Sequence, residues 1–206
     1  MTRAVTRPTD LPDPMRLFIA LELPDQARQA LLDLQQRLRS RDSAHAVRWL
    51  AEATFHLTLK FLGDTPANRV ADLEAGLALA VQGHTPFEIG IIGKNQAERI
   101  SSLQVIWAAC TGDNQALWNL RSAVEQHIAP LGFPTEARPF NPHFTLGRAR
   151  RDATKEQLLA LWNLLKLEKS VLATWQVEGV SLMLSDLQPT GAVYSRIAYQ
   201  PLPKTV

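Results

Sequence analysis

Apolar and polar residues follow each other in an order that occurs twice along the chain. An apolar run at residues 17–21 is followed by Asp25, and a similar run at residues 105–109 is followed by Asp113, 88 residues later in both cases. Behind each aspartate, apolar residues recur three and four positions apart, which is typical of the buried face of an amphipathic helix. A breaker and an aspartate mark each helix start. The pattern therefore predicts a strand and then a helix in each half.

The repeat continues beyond these first elements. Three further pairs continue it, namely strands at His56 and His143 with an offset of 87 residues, helices at 68–81 and 154–167 with an offset of 86, and strands beginning at Phe87 and Trp175 with an offset of 88. A last strand at residues 193–199 is expected to close the second lobe. The sequence therefore predicts an α+β fold of two pseudo-symmetric βαβαβ lobes that face a central cleft.

Each of the two repeated histidines is followed two residues later by a threonine, Thr58 after His56 and Thr145 after His143. In a strand these side chains lie on one face, about 6.6 Å apart, opposite the apolar residue between them. A pseudo-twofold axis brings the two faces together, and imidazoles can then serve as base and acid in displacement at phosphorus. The alternative is that duplication copied a motif with a purely structural role. Such a motif would not need to keep two polar residues on the same face at equivalent positions of both lobes.

Two basic residues accompany these pairs. Arg148 follows Thr145 after Leu146 and Gly147, and its guanidinium is suited to bidentate contact with a phosphate. Lys60 has the same strand parity as His56 and Thr58, so it either reaches the same anion or lies on a solvated edge.

Composition and charge narrow the range of functions. The 206 residues carry a net charge of +2, so contact with a polyanion must be local rather than spread over the surface. Cys110 is the single cysteine, which excludes an intrachain disulfide and fits a reducing compartment. Residues 1–14 are Pro-rich and lack the apolar run of a signal peptide, and no stretch is long and apolar enough to span a bilayer. We expect a cytoplasmic protein with no membrane contact, consisting of a flexible leader at 1–14 and one bilobal domain at 15–206.

Other catalytic signatures are absent from the sequence. It contains no Gly-rich phosphate loop, no Ser-His-Asp spacing and no His-Glu-x-x-His helix. Neither His-x-Thr motif has a carboxylate or thiolate beside it that would complete a metal shell. We therefore expect chemistry without a metal or a cofactor.

The paired motifs resemble those of the two-histidine phosphoesterases, in particular their RNA 2′,3′-cyclic phosphodiesterase branch, also called 2′-5′ RNA ligases. The resemblance covers nearly the whole chain after Met15. It is carried by RLFIALELP at residues 16–24, HLTLKFLG at 56–63 and FNPHFTLGR at 140–148. The sequence departs from the family at residues 98–104, which bears on the rim that would contact RNA.

The resemblance implies a bilobal fold with mainly antiparallel sheets and a hydrolase that opens a terminal 2′,3′-cyclic phosphate to a 2′-phosphomonoester without a metal. It also implies a reverse joining of such an end to a 5′-hydroxyl. Carried over residue by residue, His56 and His143 are the catalytic pair, and Thr58, Thr145 and Arg148 bind the phosphate. His143 is expected to activate water and His56 to protonate the departing 3′-oxygen. The expected partners are RNA ends or small nucleotides with a cyclic phosphate, bound by a monomer.

Three other interpretations are open at this point. The same site could bind a nucleotide or an RNA end without catalysis, although the intact histidines argue against this. The enzyme could instead act on a small cyclic nucleotide, an ADP-ribose cyclic phosphate or a 2′-5′ oligoadenylate. The duplicated lobes could also form a structural scaffold, which inactivity toward every phosphodiester would favour.

Overall fold

The structure is a computed structural model that describes residues 12–43, 45–93, 104–189 and 191–204. Predictions for residues 1–11 of the leader and for residues 98–103 lie outside this part of the chain. Its helices and strands are, in chain order, β1 Met15–Glu22, α1 Asp25–Arg39, β2 Val47–Trp49, β3 His56–Thr65, α2 Val70–Ala80, β4 Phe87–Ile92, β5 Val105–Gly112, α3 Asn114–Ile128, β6 His143–Ala149, α4 Lys155–Leu167, β7 Val171–Val177, β8 Gly179–Gln188 and β9 Gly191–Pro201.

The strands form two antiparallel sheets. Sheet A has the strand order β3-β1-β8-β9, and sheet B has the order β2-β6-β5-β4-β7. Apart from the short β2, each position in one sheet has a counterpart in the other, with β3 matching β6 and β1 matching β5. The predicted α+β class with two pseudo-symmetric halves and antiparallel sheets is therefore confirmed.

The fourth strand of each half joins the sheet of the other half. β4 follows α2 in the first half but pairs with β5, whereas β8 follows β7 in the second half and pairs with β1. The prediction that residues 193–199 close the second lobe is wrong, because β9 pairs with β8 in sheet A. The predicted strand start at Trp175 is also wrong, since that residue lies inside β7. Periodicity indicates which residues form a strand but not which sheet the strand joins. Because β4 and β8 each join the sheet of the other half, the two halves are interlocked.

The helices cover the outer faces of the two sheets. α1 contacts β4, β7 and α4 on sheet B, and α2 and α3 pack together against β9 and β3 of sheet A. The predicted start of α3 is confirmed, because the Asp113 side chain accepts a hydrogen bond from the Ala116 amide. α4 begins with a capping box between Thr154 and Gln157. Leucines on the inner helix faces, such as Leu34 and Leu120, are fully buried, and the burial of each side chain contributes about 1.5–3 kcal/mol to the stability of the fold.

Both histidine-bearing strands contain a β-bulge directly after the threonine. In β3, Ile19 pairs with Lys60 and Ala20 with Thr58, so Leu59 is the extra residue. In β6, Leu146 is extra in the same way, 87 residues later. An extra residue interrupts the alternation of faces. The next side chain on the face of each threonine is therefore three residues away instead of two.

Candidate active site

His56 lies at the start of β3 in one fixed orientation. Its Nδ1–H donates to the carbonyl oxygen of Thr54 at 2.7 Å, so Nε2 of the neutral ring carries the lone pair. The Thr58 hydroxyl donates to that Nε2 at 2.9 Å. The His-x-Thr spacing thus produces a direct contact between the two side chains, with a basic nitrogen facing the hydroxyl.

His143 has the equivalent backbone partner on β6. Its Nδ1–H donates to the carbonyl oxygen of Asn141 at 2.7 Å, which is again the residue two positions earlier. Thr145 is half-buried on the same strand. In both halves a main-chain oxygen fixes the tautomer, so Nε2 is the nitrogen that can exchange a proton.

The two histidines are close enough to affect each other. Burial lowers the pKa of His56, the hydrogen bond to Thr54 opposes this shift, and the charge of His143 lowers the pKa further. The surroundings of the rings differ. His56 contacts Phe18 and Tyr194, at ring-centroid distances of 4.8 and 5.2 Å, whereas His143 contacts Trp107 at 5.4 Å. The symmetric pair therefore has an asymmetric environment, with a lowered pKa at His56.

Arg148 reaches this site because of the bulge at Leu146. It follows Thr145 by three residues, so it returns to the face of Thr145, where it is exposed. Burial raises the pKa of Tyr194, while the charges of Arg148 and Arg16 lower it. The charge of Arg148 on sheet B thus acts on the ring that contacts His56 on sheet A.

Lys60 lies elsewhere. Its side chain is buried, and its ammonium donates to Glu125 Oε2 at 2.6 Å and to the carbonyl oxygen of Pro134 at 2.7 Å. Both the predicted contact with the anion and the alternative of a solvated edge are wrong. The cause is the bulge at Leu59, which ends the alternation that would have placed Lys60 beside His56 and Thr58.

Sequence reasoning missed the aromatic residues of the site. Phe61 follows Thr58 by three residues, as Arg148 follows Thr145, and its side chain is 70% exposed. Phe18 contacts both His56 and Phe61. Trp107 is only partly buried and contacts His143. The equal spacing of Phe61 and Arg148 from their histidines was the one signal available in the sequence.

Other reactive groups do not assemble around these residues. Within the described part of the chain, no three His, Cys, Asp or Glu side chains are grouped so that they could hold a metal ion. Burial raises the pKa of the Cys110 thiol to about 12, which makes it a poor nucleophile at neutral pH. None of the helices in the described residues is long and apolar enough to cross a membrane.

Two interlocked antiparallel sheets, each presenting one His-x-Thr pair, define a two-histidine phosphoesterase fold. Escherichia coli LigT in complex with 3′-AMP has this fold, with a TM-score of 0.70 and 23% identity over 93% of this chain and 100% of that one. A profile of the 2′-5′ RNA ligase superfamily matches residues 23–189, and the chain belongs to that family.

Curated relatives extend over most of the chain. It is 31% identical to a Thermus thermophilus protein named RNA 2′,3′-cyclic phosphodiesterase, over 88% of this chain and 87% of the relative. A Methanothermobacter thermautotrophicus protein of the same name is 27% identical over 88% of this chain and 95% of its own length. These relatives are hydrolases, and the chain is a hydrolase of their family.

The lowered pKa of His56 predicts a pH-dependent stability. The unfolded chain takes up a proton at this ring near its ordinary pKa of 6.5, whereas the folded chain does so only at lower pH. The free energy of unfolding should therefore fall as the pH decreases below about 6.5. His56→Gln should show a shallower fall, measured by urea denaturation at several pH values.

Burial also lowers the pKa of His84, so His84→Gln is the matched control. It should remove a separate part of the pH dependence and leave the part due to His56. Identical slopes for wild type and His56→Gln would contradict the role of His56 burial.

Proposed function

We propose that this hydrolase opens the 2′,3′-cyclic phosphate at an RNA end to a 2′-phosphomonoester, with acid–base catalysis by His56 and His143 and without a metal. The carrying observation is that both rings donate Nδ1–H to a main-chain oxygen, which leaves both Nε2 atoms for proton transfer in one site. The names of the relatives from T. thermophilus and M. thermautotrophicus support this choice of substrate.

The reaction needs one proton acceptor and one proton donor. A water oxygen attacks phosphorus and loses its proton to the base, the bond from phosphorus to the 3′-oxygen breaks, and the acid protonates that oxygen. A base must be neutral before the reaction, and burial lowers the pKa of His56. We therefore assign His56 as the base and His143 as the acid, the reverse of the roles expected from the family resemblance.

The phosphate would be bound by the side chains of Thr58, Thr145 and Arg148. Thr58 donates to His56 Nε2 in this structure, and turning its hydroxyl toward a non-bridging oxygen would free that nitrogen for water. Arg148 supplies a guanidinium on the other sheet, where charge that develops on phosphorus can be stabilised. With two imidazoles, two hydroxyls and a cation as its polar groups, the site is better suited to an anion than to a divalent metal.

The nucleobase is proposed to lie on the aromatic side of the site. Phe61 is exposed on the face that carries His56, and Phe18 lies behind it at a ring-centroid distance of 6.4 Å. Stacking on an aromatic ring accepts any base and suits an enzyme that acts on RNA ends of varied sequence. The base would then contact sheet A while Arg148 on sheet B binds the phosphate.

Ligation of a cyclic phosphate end to a 5′-hydroxyl would use the same groups in the same roles. The 5′-hydroxyl would replace water as the nucleophile and lose its proton to the base, and the 3′-oxygen would again leave with a proton from the acid, so the histidines would need no additional partner. A cytoplasmic location is part of the proposal, because the single cysteine requires no oxidising compartment.

Replacement of either histidine should reduce turnover. His56→Ala and His143→Ala should each lower kcat by about 10²–10⁴-fold on an oligoribonucleotide with a 2′,3′-cyclic phosphate end, since each removes one proton-transfer group. The assay is carried out in EDTA, and the product is identified as the 2′- or 3′-monoester. His84→Ala is the control and should keep wild-type turnover. Near wild-type kcat in either site variant would exclude the paired mechanism.

Arg148 should contribute mainly to turnover. Arg148→Ala should raise the activation free energy by about 2–4 kcal/mol, because a cation at the developing charge is lost. Arg148→Lys retains the charge but not the planar fork, and should recover only part of the loss. Steady-state kinetics measure the effect, and a melting curve of the same variants serves as control. If kcat is unchanged and only the melting temperature moves, Arg148 does not belong to the site.

Phe61 should contribute mainly to binding. Phe61→Leu keeps an apolar side chain but removes the ring, and should raise the KM for adenosine 2′,3′-cyclic phosphate by roughly tenfold, within the range of base stacking. The value of kcat should change much less, because the ring does not contact the reacting bonds. Leu187→Ala, at another exposed apolar residue, is the control. An unchanged KM for Phe61→Leu would place the base elsewhere.

A further inference from the structure

Each histidine is preceded by a segment that contacts the strand carrying the other histidine. Before His56, β2 pairs with β6, with Trp49 opposite Gly147. Before His143, residues 133–142, here called the approach segment, contain no strand, yet they contact β3. The two contacts are related by the internal repeat, because Pro134 in the approach segment stands 87 residues after Val47 in β2.

The residue that follows the extra leucine of the bulge differs between the two strands, Lys60 in β3 and Gly147 in β6. A Cβ on Gly147 would lie 2.5 Å from Val47 Cγ1, so β2 approaches β6 only because a glycine is present. Lys60 is the counterpart of Gly147, 87 residues earlier, and it fills the space with a long side chain. Its ammonium donates to the carbonyl oxygen of Pro134 at 2.7 Å, so a side chain replaces the backbone pairing found in the other half.

Glu125 on α3 joins Lys60 to the rest of the approach segment. Its Oε2 accepts from Lys60 at 2.6 Å, and its Oε1 accepts from Arg121 at 2.8 Å and from the amide of Glu136 at 3.5 Å. The side chains of Lys60 and Glu125 are 2% and 8% exposed. The carboxylate therefore holds together β3, α3 and the approach segment.

The same network extends to the residues next to His143. The guanidinium of Arg121 lies over the ring of Phe140, 5.5 Å from its centroid, and Trp118 contacts that ring from the side. Asn141 follows directly, and its carbonyl oxygen accepts the hydrogen bond that orients His143. A continuous set of contacts thus leads from Lys60, four residues after His56, to the partner of the second histidine.

Stability does not by itself explain this arrangement. Taking an ammonium and a carboxylate out of water is costly, and a buried pair often contributes no more than apolar residues of similar size. The pair does, however, have directional bonds to three separate elements, which apolar contacts would not supply.

We propose that Lys60 and Glu125 are positioning residues that set the placement of His143 relative to His56 by fixing the approach segment on β3. The proposal rests on the acid–base function proposed for the two histidines. A displacement of about 1 Å between reacting groups can reduce turnover by about 10²-fold. Loss of the pair should therefore act on catalysis and much less on substrate affinity.

The test compares Lys60→Met with wild type. Methionine keeps an unbranched apolar stem, and Glu125 retains its bond to Arg121, so no buried charge loses every partner. We expect kcat on a nucleoside 2′,3′-cyclic phosphate to fall by about 10–100-fold with KM changed by less than about threefold. In NMR spectra of the free protein, the ring signals of His143 should shift. Glu125→Gln is a second variant, whose single amide oxygen should produce a smaller loss in the same direction.

Leu165→Ala is the control for a purely structural effect. Leu165 is fully buried on α4, outside the network, and its truncation should lower the melting temperature while kcat and the His143 signals stay unchanged below that temperature. Wild-type kcat and unchanged His143 signals in Lys60→Met would overturn the proposal, as would a rise in KM alone. A wild-type protein without turnover would refute the proposed function instead, and the NMR comparison would still test the positioning role.

Discussion

The bulge after each threonine determines which side chains belong to the site and which hold the two halves together. Without the extra residues Leu59 and Leu146, Lys60 would share a face with His56, and Arg148 would be directed away from Thr145. With them, Phe61 and Arg148 lie on the site faces of the two sheets. Lys60 and Gly147 are directed instead toward the segment that arrives from the other half. One irregularity, present twice, therefore connects the composition of the site to the contact between the halves.

Different surroundings favour the neutral form of one histidine of a symmetric pair over that of the other. Main-chain oxygens two residues earlier orient both rings in the same way, so the difference lies in burial. His56 is buried in contact with Phe18 and Tyr194, and burial favours its neutral form, whereas His143 contacts Trp107 alone among the aromatic rings of the described chain. The duplicated sequence thus places the rings, and the unrepeated aromatic residues around them separate their protonation behaviour.

The sequence was sufficient to predict the repeat, most of the helices and strands, and the placement of the two His-x-Thr pairs on equivalent strands. These features depend on local periodicity and on spacing along the chain, both of which are visible in one sequence. The exchange of β4 and β8 between the sheets was not predictable in this way, because either sheet can satisfy the apolar pattern of these strands. The error at Lys60 has a related origin, since alternation assumes a regular ladder and a bulge is defined only by the partner strand.

The proposed substrate also accounts for positions at which the two repeats carry different residues. A nucleotide with a cyclic phosphate is itself asymmetric, because a flat base lies at one end and an anion at the other. Under the proposed function, an aromatic ring at residue 61 and a cation at residue 148 match these two ends, although the positions are equivalent in the repeat. The same reasoning extends to residues 60 and 147, where a lysine and a glycine hold different segments at equivalent bulges. Duplication alone would produce two equal half-sites, and these two pairs of substitutions give them different roles.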